Sequence, residues 1–144
     1  MQEDQTLDLL KYPGVDLTHQ TQLFFRLACE NGWINIVNYL LECPKVNPGV
    51  VDNICIRSAA LSGHLDVVKK LLTDPRVNPA AYNNHAIQCA VLGDNIEIVK
   101  LLIADPRVNP AANDNYAYKK AKSQAIRDLL LQNDIVKANL IAKK

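Results

Sequence analysis

The sequence predicts an all-α solenoid of stacked helix-turn-helix units joined by extended or short hairpin loops, and three observations predict it. Prolines at Pro13, Pro44, Pro75 and Pro106 stand 31 residues apart. Their neighbours repeat with them: Pro13-Gly-Val15-Asp, Pro44-Lys-Val46-Asn-Pro48, Pro75-Arg-Val77-Asn-Pro79 and Pro106-Arg-Val108-Asn-Pro110, with Asn53, Asn84 and Asn115 following at the same interval. Between these loops lie two short apolar stripes of helical period. Self-similarity at one fixed spacing marks a chain built from units that each contact only their neighbours.

In register, the chain reads as one domain. It has an N-terminal half-unit over 1–22, full units over 23–53, 54–84 and 85–115, and a degenerate unit with a C-terminal cap over 116–144. The half-unit, Leu7-Asp-Leu9-Leu10-Lys-Tyr-Pro13, offers a turn or two of second helix fronted by polar residues. In 23–53, Ala28 and Cys29 sit on a first helix; Gly32 breaks it, and Ile34, Val37, Leu40 and Leu41 form a second. In 54–84, Ile56, Ala59 and Ala60 lie at i, i+3 and i+4 on one helix face. Ser62-Gly63-His64 then ends that helix, because Gly takes a left-handed backbone without strain. Leu65, Val68, Leu71 and Leu72 make the second stripe. Asp74-Pro75 stops it, since the residue before Pro is disfavoured in helical geometry and Pro has no N–H to donate. A Pro- and Asn-rich loop of about a dozen residues follows.

The unit over 85–115 repeats this plan with Ala90 and Val91, then Ile96, Val99, Leu101 and Leu102, its Gly93 displaced by one place. In the last unit the turn shortens to Ala121-Lys-Ser-Gln ahead of Ile126, Leu129, Leu130 and Leu131. The tail adds one more amphipathic helix, with Ile135, Ala138 and Ile141 or Ala142 expected to face the stack. Polar ends suit terminal repeats, which have one neighbour only. Together with the starting Met they lead us to expect an array not cut from a longer one. Small residues at 28–29, 59–60 and 90–91 let first helices approach closely, while Leu, Ile and Val fill the second-helix side. That asymmetry is expected to curve the stack, with first helices and loops on the hollow side.

These residues resemble the ankyrin repeat. Ala59-Ala60, Gly63-His64-Leu65, Val68, Leu71-Leu72 and Val77-Asn78 match the family pattern, as do Ala28, Gly32, Ile34, Val37, Leu40-Leu41 and Val46-Asn47 in the unit before. Two features depart from it. Ile54-Cys-Ile56-Arg57, His85-Ala-Ile87-Gln88 and Tyr116-Ala-Tyr118-Lys119 stand where the family has Thr-Pro-Leu-His, and Asp-Pro-Arg replaces Gly-Ala before Val-Asn. Hairpins shorter or more irregular than the family norm are therefore expected. Arrays with such Asp-Pro-Arg loops resemble those in proteins of amoeboid eukaryotes and large viruses. The resemblance implies a non-enzymatic protein–protein interaction scaffold; the alternative is a substrate adaptor or host-targeting regulatory factor of a virus or intracellular microbe. It also implies that Asn47, Asn78 and Asn109 are open to asparagine hydroxylation, although their residue type alone explains them as braces of a turn.

Composition limits the other possibilities. Sixteen Lys and Arg against 15 Asp and Glu leave no field to draw nucleic acid or an anionic membrane. Lys69, Lys70, Lys100, Lys119, Lys120, Lys122, Lys143 and Lys144 read as a solvated helix face and a soluble cap, because no aromatics are interleaved with them. No stretch approaches the ~20 apolar residues of a membrane span, and no secretory signal opens the chain. Five scattered glycines form no phosphate-binding loop. Cys29, Cys43, Cys55 and Cys89 show neither C-x-x-C spacing nor a His pair for zinc, so they read as reduced packing residues of a cytoplasmic or nuclear protein. His64 belongs to the Gly-His turn and is expected to bond local backbone; His19 and His85 are placed in loops. No cofactor, metal or catalytic residue is expected, and the chain is expected to be a monomer.

The resemblance implies that a partner protein, whose identity the sequence does not give, meets the loop tips and the exposed side of the first helices on the concave face. The tips are Val50, Val51, Tyr82, Asn83, Asn113 and Asp114. The first-helix positions are Glu30, Asn31, Leu61, Ser62 and Leu92. Val50, Val51, Leu61, Tyr82 and Leu92 are apolar where a solvated surface would be polar, which is the composition of an interface core. Isolated surface apolars are also common in any globular chain.

Overall fold

The two stripes of each unit form two antiparallel helices in the computed structural model, which describes residues 21–142 together with Asp4, Gln5, Asp8 and Lys11. Those four residues are helical and exposed. The rest of the expected N-terminal cap, with Pro13 and His19, and Lys143 and Lys144 lie outside the described residues.

First helices are α1 (Thr21–Asn31), α3 (Val50–Ser62), α5 (Ala81–Leu92) and α7 (Ala112–Lys120). Second helices are α2 (Ile34–Leu41), α4 (Leu65–Leu72), α6 (Ile96–Ala104) and α8 (Gln124–Leu131), followed by α9 (Asp134–Ile141). First helices pack on first helices and second on second, each pair meeting the next in chain order. Among the described residues no strand forms, so turns rather than hairpins occupy the loops.

Ala28, Cys29, Ala59, Ala60, Ala90 and Val91 are wholly buried between first helices. Val37, Leu40, Val68, Leu71, Val99 and Leu102 are equally buried on the second. Full burial of one such Leu or Val stabilises the fold by about 1.5–3 kcal/mol. Ile36, Val67 and Ile98 join them, a third buried column that the expected stripe omitted. At the end of α3, Gly63 takes φ +83° and the His64 N–H closes back on the Ala59 carbonyl (3.0 Å). In the next unit the left-handed seat passes to Asp94 (φ +57°), the residue 31 places after Gly63. Gly93 is small for a different reason. A Cβ there would run into the Leu61 backbone carbonyl of the preceding unit.

The tail helix turns the other way from expectation. Ile135, Ala138, Ile141 and Ala142 are exposed, and Val136 is the residue of α9 that is buried. The Asn133 side chain caps the helix by accepting from the Ile135 and Val136 N–H groups. That sets its start three residues before Val136 and fixes its phase. Val136 is thereby buried, as Val46, Val77 and Val108 are in their loops.

Candidate functional site

The first helices α3, α5 and α7 each open with three consecutive left-handed residues: Val51-Asp52-Asn53, Tyr82-Asn83-Asn84 and Asn113-Asp114-Asn115, with φ from +50° to +61°. Backbone hydrogen bonds close these turns, from Asn84 N–H to the Ala80 carbonyl (2.9 Å) and from Asn115 N–H to the Ala111 carbonyl (2.9 Å). Asn and Asp tolerate this conformation; other L-residues are disfavoured in it by roughly 1–2 kcal/mol each, and a β-branched Val most of all.

The third residue of the first two turns ties one unit to the next. The Asn53 Oδ1 accepts from the Asn78 backbone N–H (2.8 Å) and the Asn84 Oδ1 from that of Asn109 (2.6 Å). Gln22 does the same one unit earlier, donating to the Asn47 carbonyl (2.9 Å) and accepting its N–H (3.4 Å). Asn47, Asn78 and Asn109 each accept a backbone N–H two residues on with their own Oδ1, bracing the turn as their residue type suggests. Asn115 has no such neighbour: its amide is buried and neither side-chain atom has a partner among the described residues.

The departures from the family pattern do structural work of their own. Asp74 grips Arg76 (2.6 Å) and aims its guanidinium at the Val46 and Leu41 carbonyls of the preceding unit (2.9 and 3.0 Å). Asp105 and Arg107 repeat the device on the Val77 carbonyl (3.0 Å). The hydrogen bonds from these guanidinium groups hold Asp74 and Asp105 below the usual carboxylate range.

His64 donates through Nε2 to the Glu30 carbonyl (2.9 Å), so its backbone partner lies in the preceding unit rather than in its own turn. Asn95, its counterpart, reaches the Ala60 and Leu61 carbonyls (2.8 and 3.1 Å). Cys29 lies against Cys55, and that contact together with burial pushes its thiol far up; burial raises Cys89 as well. Thiols held protonated in this way are poor nucleophiles.

The expected partner-facing residues fall into two rows at opposite ends of the first helices. At the tips, Val51, Tyr82, Asn83, Asn113 and Asp114 are exposed and Val50 is half-buried. Val50 and Val51 line an open depression of about 260 Å³ with Gln22, Leu23, Arg26 and Ile54. Asp114 is engaged by Lys119 (2.7 Å). At the far ends, Glu30, Asn31, Leu61 and Ser62 are exposed and Leu92 is half-buried.

A row between these two escaped the sequence reading. His85 stands within α5, directly after the left-handed turn, not in a loop. Arg57, on the helix before, donates to His85 Nδ1 (3.0 Å) and to the Val51 carbonyl (3.2 Å), and its guanidinium lies 5.1 Å from the Tyr82 ring centre. The Tyr82 and His85 rings are themselves 5.3 Å apart. Desolvation, and secondarily Arg57, lowers the His85 pKa and keeps it a neutral acceptor. Lys120 lies 5.7 Å from the Tyr116 ring. Arg57 thus has an aromatic neighbour across the fold, and Lys120 has one four residues back in its own helix, where none was expected to be interleaved with the basic residues. Register gave the available signal: Arg26, Arg57, Gln88 and Lys119 stand at successive 31-residue steps.

Among the described residues no group of three or more His, Cys, Asp or Glu side chains is arranged to hold a metal ion. No helix among them is long and apolar enough to cross a membrane.

A family model described as ankyrin repeats (3 copies) matches residues 25–114. No curated protein and no solved structure matches the chain.

Proposed function

The chain belongs to the ankyrin-repeat family, and from that premise we propose that it is a non-enzymatic scaffold binding a partner protein across its tips and first-helix face. Ankyrin repeats generally mediate protein–protein interaction. One observation carries the choice of surface. Val51 and Tyr82 are 67% and 60% exposed and held in left-handed backbone, while Asn113 fills the same place in the next unit without that strain. Burial does not account for an aromatic and a β-branched residue kept there at a conformational cost. Contact with another molecule does. Leu61, half exposed, adds an apolar group at the far end of α3.

The surface is preformed, so little ordering entropy is lost on docking. The chain acts as a monomer, in the cytosol or nucleus, where its free cysteines stay reduced. Affinity capture with mass spectrometry, run in parallel on the natural chain and on L61D/Y82D, tests this reading. The double variant is expected to lose its captured partner at an unchanged thermal midpoint. Undiminished capture by a folded variant overturns the assignment of the surface.

A further inference from the structure

Arg57 is a cation of this surface whose charge no carboxylate among the described residues answers. Arg76 and Arg107 hold aspartates at 2.6 and 2.7 Å, and Lys119 holds Asp114 at 2.7 Å. No carboxylate among the described residues pairs with Arg57; its partners are a neutral imidazole nitrogen and a backbone carbonyl. Its Nε is buried without a partner. A guanidinium carries five N–H hydrogens, and each terminal nitrogen here commits one of its two, leaving one apiece. The group is also fixed in place, gripped at both terminal nitrogens with the Tyr82 ring beside it. A positive charge partly desolvated and immobilised before its counter-ion arrives is primed for a charge-assisted contact.

We propose that the partner presents a short acidic segment, whose Asp or Glu side-chain carboxylate docks on Arg57 beside Tyr82. This inference rests on the surface assigned above and adds the chemistry of its occupant. The charge pattern favours one short acidic segment over a polyanion. Arg26 and Arg57 continue each other by register, but Gln88 interrupts the column and turns back to the Asn83 carbonyl (2.8 Å). Lys119, next in line, is already neutralised by Asp114. A nucleic-acid backbone needs a cation for phosphate after phosphate along its path; one or two carboxylates need only this pair.

The test is a selection of displayed random peptides on the full chain. The consensus peptide is then synthesised with a fluorescein label and titrated by anisotropy. The consensus is expected to contain Asp or Glu next to an apolar residue. Changing that acid to its amide should weaken binding about tenfold or more, and Arg57→Gln should do the same to the acidic peptide. The amide peptide should bind the natural chain and R57Q equally. A consensus without an acid, no enrichment, or an acidic peptide indifferent to the amide change overturns the proposal; the amide arm stands even if R57Q folds poorly. Tighter binding of a fluorescein-labelled oligouridine than of the peptide also overturns it. L61D/Y82D separates the two claims. Binding lost in L61D/Y82D but unchanged in R57Q refutes the carboxylate contact alone, whereas acid-dependent binding that survives L61D/Y82D refutes the surface on which the contact was placed.

Discussion

Asn53, Asn84 and Asn115 are three copies of one residue in one backbone conformation, and they differ only in what their side chains meet. Substituting Ala costs each of them the same left-handed preference. Asn53→Ala and Asn84→Ala also strand the backbone N–H of Asn78 or Asn109, a loss of about 1–2 kcal/mol beyond that shared cost. Asn115→Ala strands nothing. Urea unfolding of the three variants should therefore rank Asn115→Ala as the mildest, and equal losses would refute the inter-unit brace. The recurrence of these asparagines was legible in the sequence because it follows the proline period. Their partners were not, for each bond joins residues 25 positions apart and depends on a left-handed turn that Val51 or Tyr82 would not suggest.

At the scale of elements, the Asp-Pro-Arg loop is a clamp as well as a helix stop. Arg76→Ala removes two hydrogen bonds to carbonyls of the preceding unit and should cost about 1–2 kcal/mol, whereas Lys100→Ala, which breaks only an exposed pair with Glu97, should cost less than about 0.5 kcal/mol. The clamp is sensitive to acid in a definite direction. Asp74 and Asp105 titrate lower in the fold than in the unfolded chain, where the value is near 3.9. Their contribution is whole above that value and is lost as the pH falls through the folded one. Chemical unfolding followed from about pH 5 downward should show a shallower loss of stability for D74N/D105N than for the natural chain; parallel curves would contradict the assignment.

The stop itself could be read from Pro; the clamp could not, because Leu41 and Val46 lie 35 and 30 residues before Arg76. The phase of α9 was misjudged for a local reason. In a helix of 8 residues, one capping residue decides which side chains face inward, and the apolar spacing of Ile135, Ala138 and Ile141 fits a face just as well.

Across the whole molecule each inner layer is held by the layers before and after it, so protection against opening depends on having two neighbours. Amide hydrogen exchange should be slowest in α3, α4, α5 and α6 and fastest in α9, which buries Val136 alone; uniform protection would argue for a single undivided core. This layering is what the sequence displayed most openly. Period, small-residue columns and aliphatic columns all obey one spacing and need no knowledge of the tertiary fold. Tyr82 was legible as a tip, but its contacts with Arg57 and His85 were hidden because those residues are joined across two different units and share no local pattern.

The asparagine joints have a consequence for growth of the chain. Every tie made by Gln22, Asn53 and Asn84 reaches forward 25 residues to a target carried by the following layer. A second copy of 54–84 spliced in after Asn84 would arrive with its own donor and its own acceptor. Asn84 would then meet the copy of Asn78, and the copy of Asn84 would meet Asn109, so a tandem duplication lengthens the rod with an asparagine joint of the same kind at each seam.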